Sequence, residues 1–197
     1  NYGIVIQNHF NDLVVGTYGR GFWILDDLSP LQQLSASVTS EASYLFEPRS
    51  AYRFHNITSP QAMPNDPSDG ENPPYGAAIN YWLGADVEGE VVLRIEDDRG
   101  ETIRTLDGTK RQGINRVWWD LRGEPSVEIK LRTTPRYADW VDLGKERWRS
   151  GGGQIEILQP PGRYTIVLDV NGDEHRQQLQ VLKDPNSEGS EADIAVQ

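Results

Sequence analysis

The sequence predicts an all-β protein: an immunoglobulin-like β-sandwich preceded by a short, separate β-segment and a short helix. Three observations carry this. Apolar and polar residues alternate with period two over many short runs, as in EVVLRIE (90–96) and RYTIVLDV (163–170). Turn residues separate the runs, above all Asn171-Gly172, a pair suited to the positive φ angles of a type I′ hairpin. Only one short helix start is legible, Ser29-Pro30.

In chain order, Ile4-Val5-Ile6, Asp12 to Tyr18 and Gly21 to Asp26 read as three short strands, the last two joined through Tyr18-Gly19-Arg20-Gly21. Ser29 is expected as N-cap and Pro30 as first residue of a helix running to about Leu34. Ala42 to Phe54 reads as strand, interrupted at Pro48, which cannot donate to a ladder. Ser59 to Gly76 holds five prolines and two glycines and is expected to be a long surface loop. Ala77 to Leu83 is a strand. Glu90 to Glu96 and ETIRTLD form a hairpin about Asp98-Arg99-Gly100, and Ile114 to Leu121 is a further strand. Thr133 to Gln154, with Trp140, Trp148 and a triple glycine, reads as an insertion holding a short helix. Two more strands flank Asn171-Gly172, and the acidic tail is expected to be loose. The expected divisions are 1–41, 42–184 with loop 59–76 and insertion 133–154, and 185–197.

Composition narrows function. With 197 residues the chain can bury a core without staples. It has no cysteine, which excludes disulfides, thiolate catalysis and Cys-ligated metals. His9, His55 and His175 are scattered, so no metal or cofactor is expected. A net charge of −11 repels phosphate and argues against nucleic-acid binding. No apolar run is long enough to span a bilayer.

Gly16, Gly19 and Gly21 lie between strands rather than before a long helix, so a tight turn is favoured over a phosphate loop. Asp184-Pro185-Asn186-Ser187-Glu188-Gly189 opens like a calcium loop, but Ala195 stands where the bidentate Glu belongs. A casual calcium site there, or at Asp66, Asp69 and Glu71, is the weaker alternative to solvated acidic loops. The adjacent pairs Asp26-Asp27 and Asp97-Asp98 would point to opposite faces of a strand, which does not suit glycoside cleavage. Asn56-Ile57-Thr58 is a glycosylation sequon. Trp118 and Trp119 are adjacent in a strand, so one faces away from the core, where it covers a second element or stacks on a sugar. Of the aromatics Trp82, Trp118, Trp140, Trp148, Tyr75 and Tyr137, the three tryptophans Trp118, Trp140 and Trp148 are the candidate ligand-contacting residues. Trp119 and Tyr164 are expected in the inter-sheet core, Gly113 and Gly162 at strand starts, and Asn115 and Asp120 bonding nearby backbone.

The string NDLVVGTYGRGFWILDDLSPLQQL resembles the last propeller blade of bacterial proteins with sortilin-like or BNR-repeat (sialidase-type) β-propellers. The later motifs resemble the Ig-like domain of the flagellar hook-capping protein: Gly100, Arg104, Thr105 and Leu106; then Gly113, Asn115, Trp119 and Asp120; then Gly162, Tyr164 and Leu168. The resemblance implies a processed chain or fragment from the C-terminus of a larger exported (extracellular or periplasmic) propeller protein. The Asp-box pattern S-x-D-x-G-x-x-W is absent, and no sialidase arginine triad or Tyr/Glu pair can be placed, so no catalytic residue is expected here. The leading expectation is a non-catalytic accessory or interaction domain whose partner is that upstream propeller or another protein. A carbohydrate-binding module, or a fragment of a glycoside hydrolase with its active site upstream, are the alternatives. The blade segment is expected to pack on the sandwich through Phe22, Trp23, Ile24 and Leu25, and the insertion with Trp140 and Trp148 to pack over the outward tryptophan.

Overall fold

The computed structural model describes residues 3–54, 70, 72–127, 130–131, 137, 147–148 and 154–195. Of these, 45% lie in strands and 9% in helices, so the chain is all-β. It divides into two compact units, Asn1–Leu121 with Pro160–Gln197, and Arg122–Gln159.

The first unit begins with an antiparallel meander of β1 (Gly3–Gln7), β2 (Asp12–Gly16) and β3 (Phe22–Leu25). Gly19 and Gly21 both take positive φ in the turn before β3, and Thr17 Oγ1 closes it on Gly21 O at 3.0 Å. Helices α1 (Ser29–Gln33) and α2 (Ala36–Ser40) follow. Pro30 sits in the first turn as expected, but Leu28, not Ser29, is the N-cap, and no side chain caps it. The reason is local: Asp27 Oδ1 already accepts the Ser29 N–H at 3.1 Å, which draws Ser29 into the helix. The second helix is capped by Ser35, whose hydroxyl accepts from Val38 N.

The sandwich has two sheets. One is β4 (Ser43–Leu45), β6 (Ala77–Leu83) and β9 (Gly113–Trp119), in the order β4-β6-β9. The other contains β5 (Ala51–Arg53), β7 (Val91–Glu96), β8 (Thr102–Asp107), β12 (Gly162–Val170) and β13 (Asp173–Lys183), in the order β5-β13-β12-β7-β8. Pro48 does separate β4 from β5. Only β5–β13 is parallel among this sheet's pairings. The alternation read from the sequence is the burial pattern: Leu93, Ile95, Ile166, Leu168, Leu179 and Val181 are fully buried against Ile79, Tyr81 and Leu83. Trp119 and Tyr164 meet edge to face across the core at 5.1 Å. Asn171 and Gly172 both take positive φ, as the β12–β13 turn requires.

The outward face of the larger sheet carries a charge ladder. Arg94 bonds Asp169 and Glu174, and Arg176 bonds Glu96 at 2.9 Å and Glu174 at 3.4 Å. Val167 pairs in register with Arg94 on one side and Arg176 on the other, and is fully buried on a nominally exposed face.

The three-stranded sheet is held to the sandwich by polar contacts. Arg116, on β9, donates to Asn80 Oδ1 at 2.7 Å, Asp26 O at 3.0 Å and Asp27 O at 3.1 Å. Asn80 Nδ2 donates to Asp27 Oδ2, and Asp12 Oδ1 accepts the Asp27 N–H. Gln33 brackets the Glu47 peptide unit, donating to its carbonyl and accepting its N–H, both at 2.9 Å. The expectation that Phe22, Trp23, Ile24 and Leu25 form one apolar contact face is overturned: all four are exposed. Successive residues of a strand alternate, so register places Trp23 and Leu25 with Ile4 and Ile6 on one face, and Phe22 and Ile24 with Val5 on the other.

The tail also departs from expectation. α3 (Glu191–Ala195) ends it, with Ile194 buried. Ser190 donates from both its N–H and its hydroxyl to the Asp193 carboxylate, which these bonds hold below its ordinary pKa.

In the second unit β10 (Lys130–Leu131) pairs antiparallel with β11 (Arg147–Trp148). Arg122 bridges Leu158, and the backbone bonds Gly123 N to Ile157 O and Ser126 N to Ile155 O continue the ladder.

Two outcomes test this account. Arg116→Met strips three acceptors of their donor and is expected to destabilise the chain by about 2–4 kcal/mol in urea unfolding, with amide exchange accelerated most in β1–β3. Burial, with smaller repulsion from Asp97 and Asp98, pushes the Tyr164 hydroxyl up to about 12. The unfolded tyrosine therefore loses its proton first, so stability is full below pH 10 and falls between about 10 and 12, by roughly 2–3 kcal/mol. Tyr164→Phe should remove most of that alkaline slope, leaving the smaller contribution of Tyr81, also raised by burial.

Candidate functional site

Within the first unit a cavity of about 530 Å³ lies where the small sheet meets the sandwich. Its walls come from distant stretches of chain. Asp12 and Asp26 come from β2 and the end of β3. Arg49 and Tyr52 come from the β4–β5 region, and Tyr75 from the approach to β6. Trp118 comes from β9. Gly76 lies beside Tyr75 at φ +124°, and a Cβ there would stand 2.0 Å from Trp119 O, so glycine is needed for the chain to pass this close.

Aromatic rings run in series along one side, with Phe10, Tyr52 and Phe54 in the lining and His9 behind Tyr52. His9 stacks on Tyr52 at 5.5 Å and Tyr52 on Phe54 at 5.4 Å. Tyr52 and Phe54 are two residues apart on an extended strand, so they share a face. The Arg49 guanidinium lies 5.2 Å from the centre of the Phe10 ring and donates to Phe10 O at 2.8 Å. Tyr75 donates to Phe54 O. The adjacent aspartates play unlike parts. The Asp27 carboxylate is buried and fully engaged by Asn80 and Ser29. The Asp26 carboxylate lines the cavity and makes no hydrogen bond or ion pair among the described residues.

The structure places Trp118 at this cavity, half-exposed, while its neighbour Trp119 fills the core. Trp140 lies outside the described residues, and Trp148 is described only as backbone of β11, so the structure brings neither to Trp118. His55, the sequon Asn56-Ile57-Thr58, Asp66, Asp69 and Glu71 also lie outside the described residues, as does most of loop 59–76 and insertion 133–154. The remaining motif residues have structural settings. Asn115 Nδ2 donates to Arg111 O and Gly113 O, and its Oδ1 accepts from Thr109. Gly113 opens β9 at positive φ, and Gly162 opens β12. Tyr164 donates to Pro160 O at 2.6 Å. Asp120 follows β9 and is half-buried.

Elsewhere the carboxylates serve turns. Asp97 Oδ1 accepts the N–H of both Arg99 and Glu101. In the loop after β13 the Lys183 ammonium donates to Ser187 O at 2.7 Å and Gly189 O at 2.8 Å, so a cation already supplied by the chain engages those carbonyls. No group of three or more His, Asp or Glu side chains among the described residues is arranged to hold a metal ion. No helix is long and apolar enough to cross a membrane.

Comparison with protein-family models, with curated proteins and with solved structures finds no match to this chain.

Sequence reasoning singled out Trp118 and Tyr75 among the aromatics and Asp26 as one of an adjacent carboxylate pair, but it did not join them into one site, and it did not reach Asp12, Arg49 or Tyr52 as site residues. For Lys183, replacement by Met leaves two carbonyls without their donor. The expected result is faster proteolytic trimming of the tail and a loss of about 1–3 kcal/mol, measured by timed digestion and thermal unfolding.

Proposed function

We propose that this chain is a non-catalytic accessory and interaction domain of a larger β-propeller protein, and that Gly3–Leu25 is the end of that propeller's last blade. One observation carries the reading: the three-stranded sheet is apolar on both faces and both are open. Phe22 is 80% exposed, Trp23 66% and Ile24 62%, and Ile4 and Val5 are equally bare. A sheet apolar on one face needs one covering layer, whereas a sheet apolar on both needs two. A propeller blade meets that condition, packed between neighbours, and blades typically have about four strands where this sheet has three. The missing strand would pair along β1 or β3, the edges of this sheet.

The sandwich half of the proposal is an Ig-like domain. Supporting it, the strand orders β4-β6-β9 and β5-β13-β12-β7-β8 match an immunoglobulin-type partition, with the first strand split between the two sheets at Pro48. In this reading the domain serves to end the propeller and to dock it, and catalysis belongs elsewhere in the protein.

An immunoblot of source cells with antibody to the sandwich should show a band well above 22.2 kDa; a band at 22.2 kDa sinks the reading. In isolation the chain should self-associate as concentration rises, measured by sedimentation velocity. Trp23→Lys with Ile24→Lys, one on each face, should keep it monomeric while changing stability by less than about 0.5 kcal/mol.

A further inference from the structure

We propose that the cavity beside Trp118 is a binding site for a neutral sugar of one or two residues. Its volume, about 530 Å³, lies in the range of small-molecule sites. Its chemistry selects the class of ligand. Trp118, Tyr52 and Tyr75 supply flat apolar faces, against which the C–H face of a pyranose ring packs.

The polar groups are mixed in kind. Asp12 and Asp26 are acceptors, and Arg49 is a donor. A sugar hydroxyl both donates and accepts, so it can use both kinds at once. A cation would meet the carboxylates but also the Arg49 guanidinium. An anion would meet two carboxylates. An apolar ligand would leave all three charges without water. The neutral polyol is the ligand that satisfies every wall.

Three of these groups also lack a protein partner among the described residues: the Asp26 carboxylate, the Tyr52 hydroxyl and the Trp118 indole N–H. Two points of the wall are tied to the chain. Arg49 is held by Phe10, and the Asp26 backbone by Arg116. The free groups therefore sit beside tethered ones, which lowers the ordering cost of binding there. The site borders the sheet face that carries Phe22 and Ile24, since Ile24 is one of its lining residues.

The test uses the whole 197-residue chain, ¹⁵N-labelled and titrated with cellobiose, maltose, lactose, xylobiose and chitobiose. Glucuronic acid and tetramethylammonium chloride are the charged controls. The expected result is saturable binding of at least one neutral disaccharide that moves the Trp118 indole N–H resonance, assigned from Trp118→Phe. Trp118→Ala should abolish it. Asp26→Asn, which disturbs no contact in the structure, should weaken it at least about tenfold, the scale of one charge-assisted hydrogen bond. The proposal is overturned if no disaccharide moves that resonance. It is equally overturned if both variants bind as the parent does, or if tetramethylammonium binds more tightly than every sugar.

Discussion

The attachment of the three-stranded sheet depends on one side chain reaching out of the sandwich. Arg116 projects from β9 and binds two successive backbone carbonyls, Asp26 and Asp27, just where the chain leaves β3. Asp27 sits there at φ +55°, a conformation that its short carboxylate helps to tolerate by bonding locally to Ser29 N. The same carboxylate reaches Asn80, which returns to Arg116. The closed set Arg116–Asn80–Asp27 satisfies the buried polar groups it creates, which is what makes such a network stable rather than costly. It also explains how an apolar sheet is attached without spending its apolar faces. The joint is made of these polar bonds together with the ring contacts of His9 and Phe10 on Tyr52, so most of both apolar faces stays exposed.

Three carboxylates within this joint show how environment, not residue type, sets a role. Asp12 accepts the Asp27 N–H through one oxygen and lines the cavity. Asp27 is buried and saturated. Asp26, one residue away, gives its carbonyl to Arg116 and leaves its carboxylate to the cavity. Strand alternation alone would have sent Asp26 and Asp27 to opposite sides; the left-handed turn at Asp27 assigns one to the scaffold and the other to the site.

What the sequence disclosed and what it hid follow from the range of the interactions. Strands β6, β7, β9, β12 and β13 were legible because each carries its own alternation, and the β12–β13 turn because Asn-Gly demands it. Pro48 marked the break between β4 and β5 for an equally local reason. The cap of α1 was misread because the competitor for Ser29 N, Asp27, acts through a backbone conformation that no pattern announces. α2 was missed since ASVTS has neither periodicity nor strong helix formers apart from alanine. Phe22–Leu25 was read as one surface when its residues belong to two. The cavity was hidden for a different reason: Trp118, Tyr75 and Asp26 each stand out in the sequence, but only the tertiary fold brings them together with Asp12, Arg49 and Tyr52.

The sandwich closes on its last strand. β13 pairs with both β12 and β5, and Ser43 on β4 is hydrogen-bonded to His175, 132 residues away. The meander β1–β2–β3, by contrast, forms from neighbours in sequence. Local pairings form quickly and distant ones late, since the loop between them must first be closed. During synthesis the segment of the small sheet, apolar on both sides, therefore leaves the ribosome well before the sandwich strands that anchor it. For that interval the nascent segment exposes two apolar faces and two unpaired strand edges, the kind of surface on which chains aggregate before they finish folding.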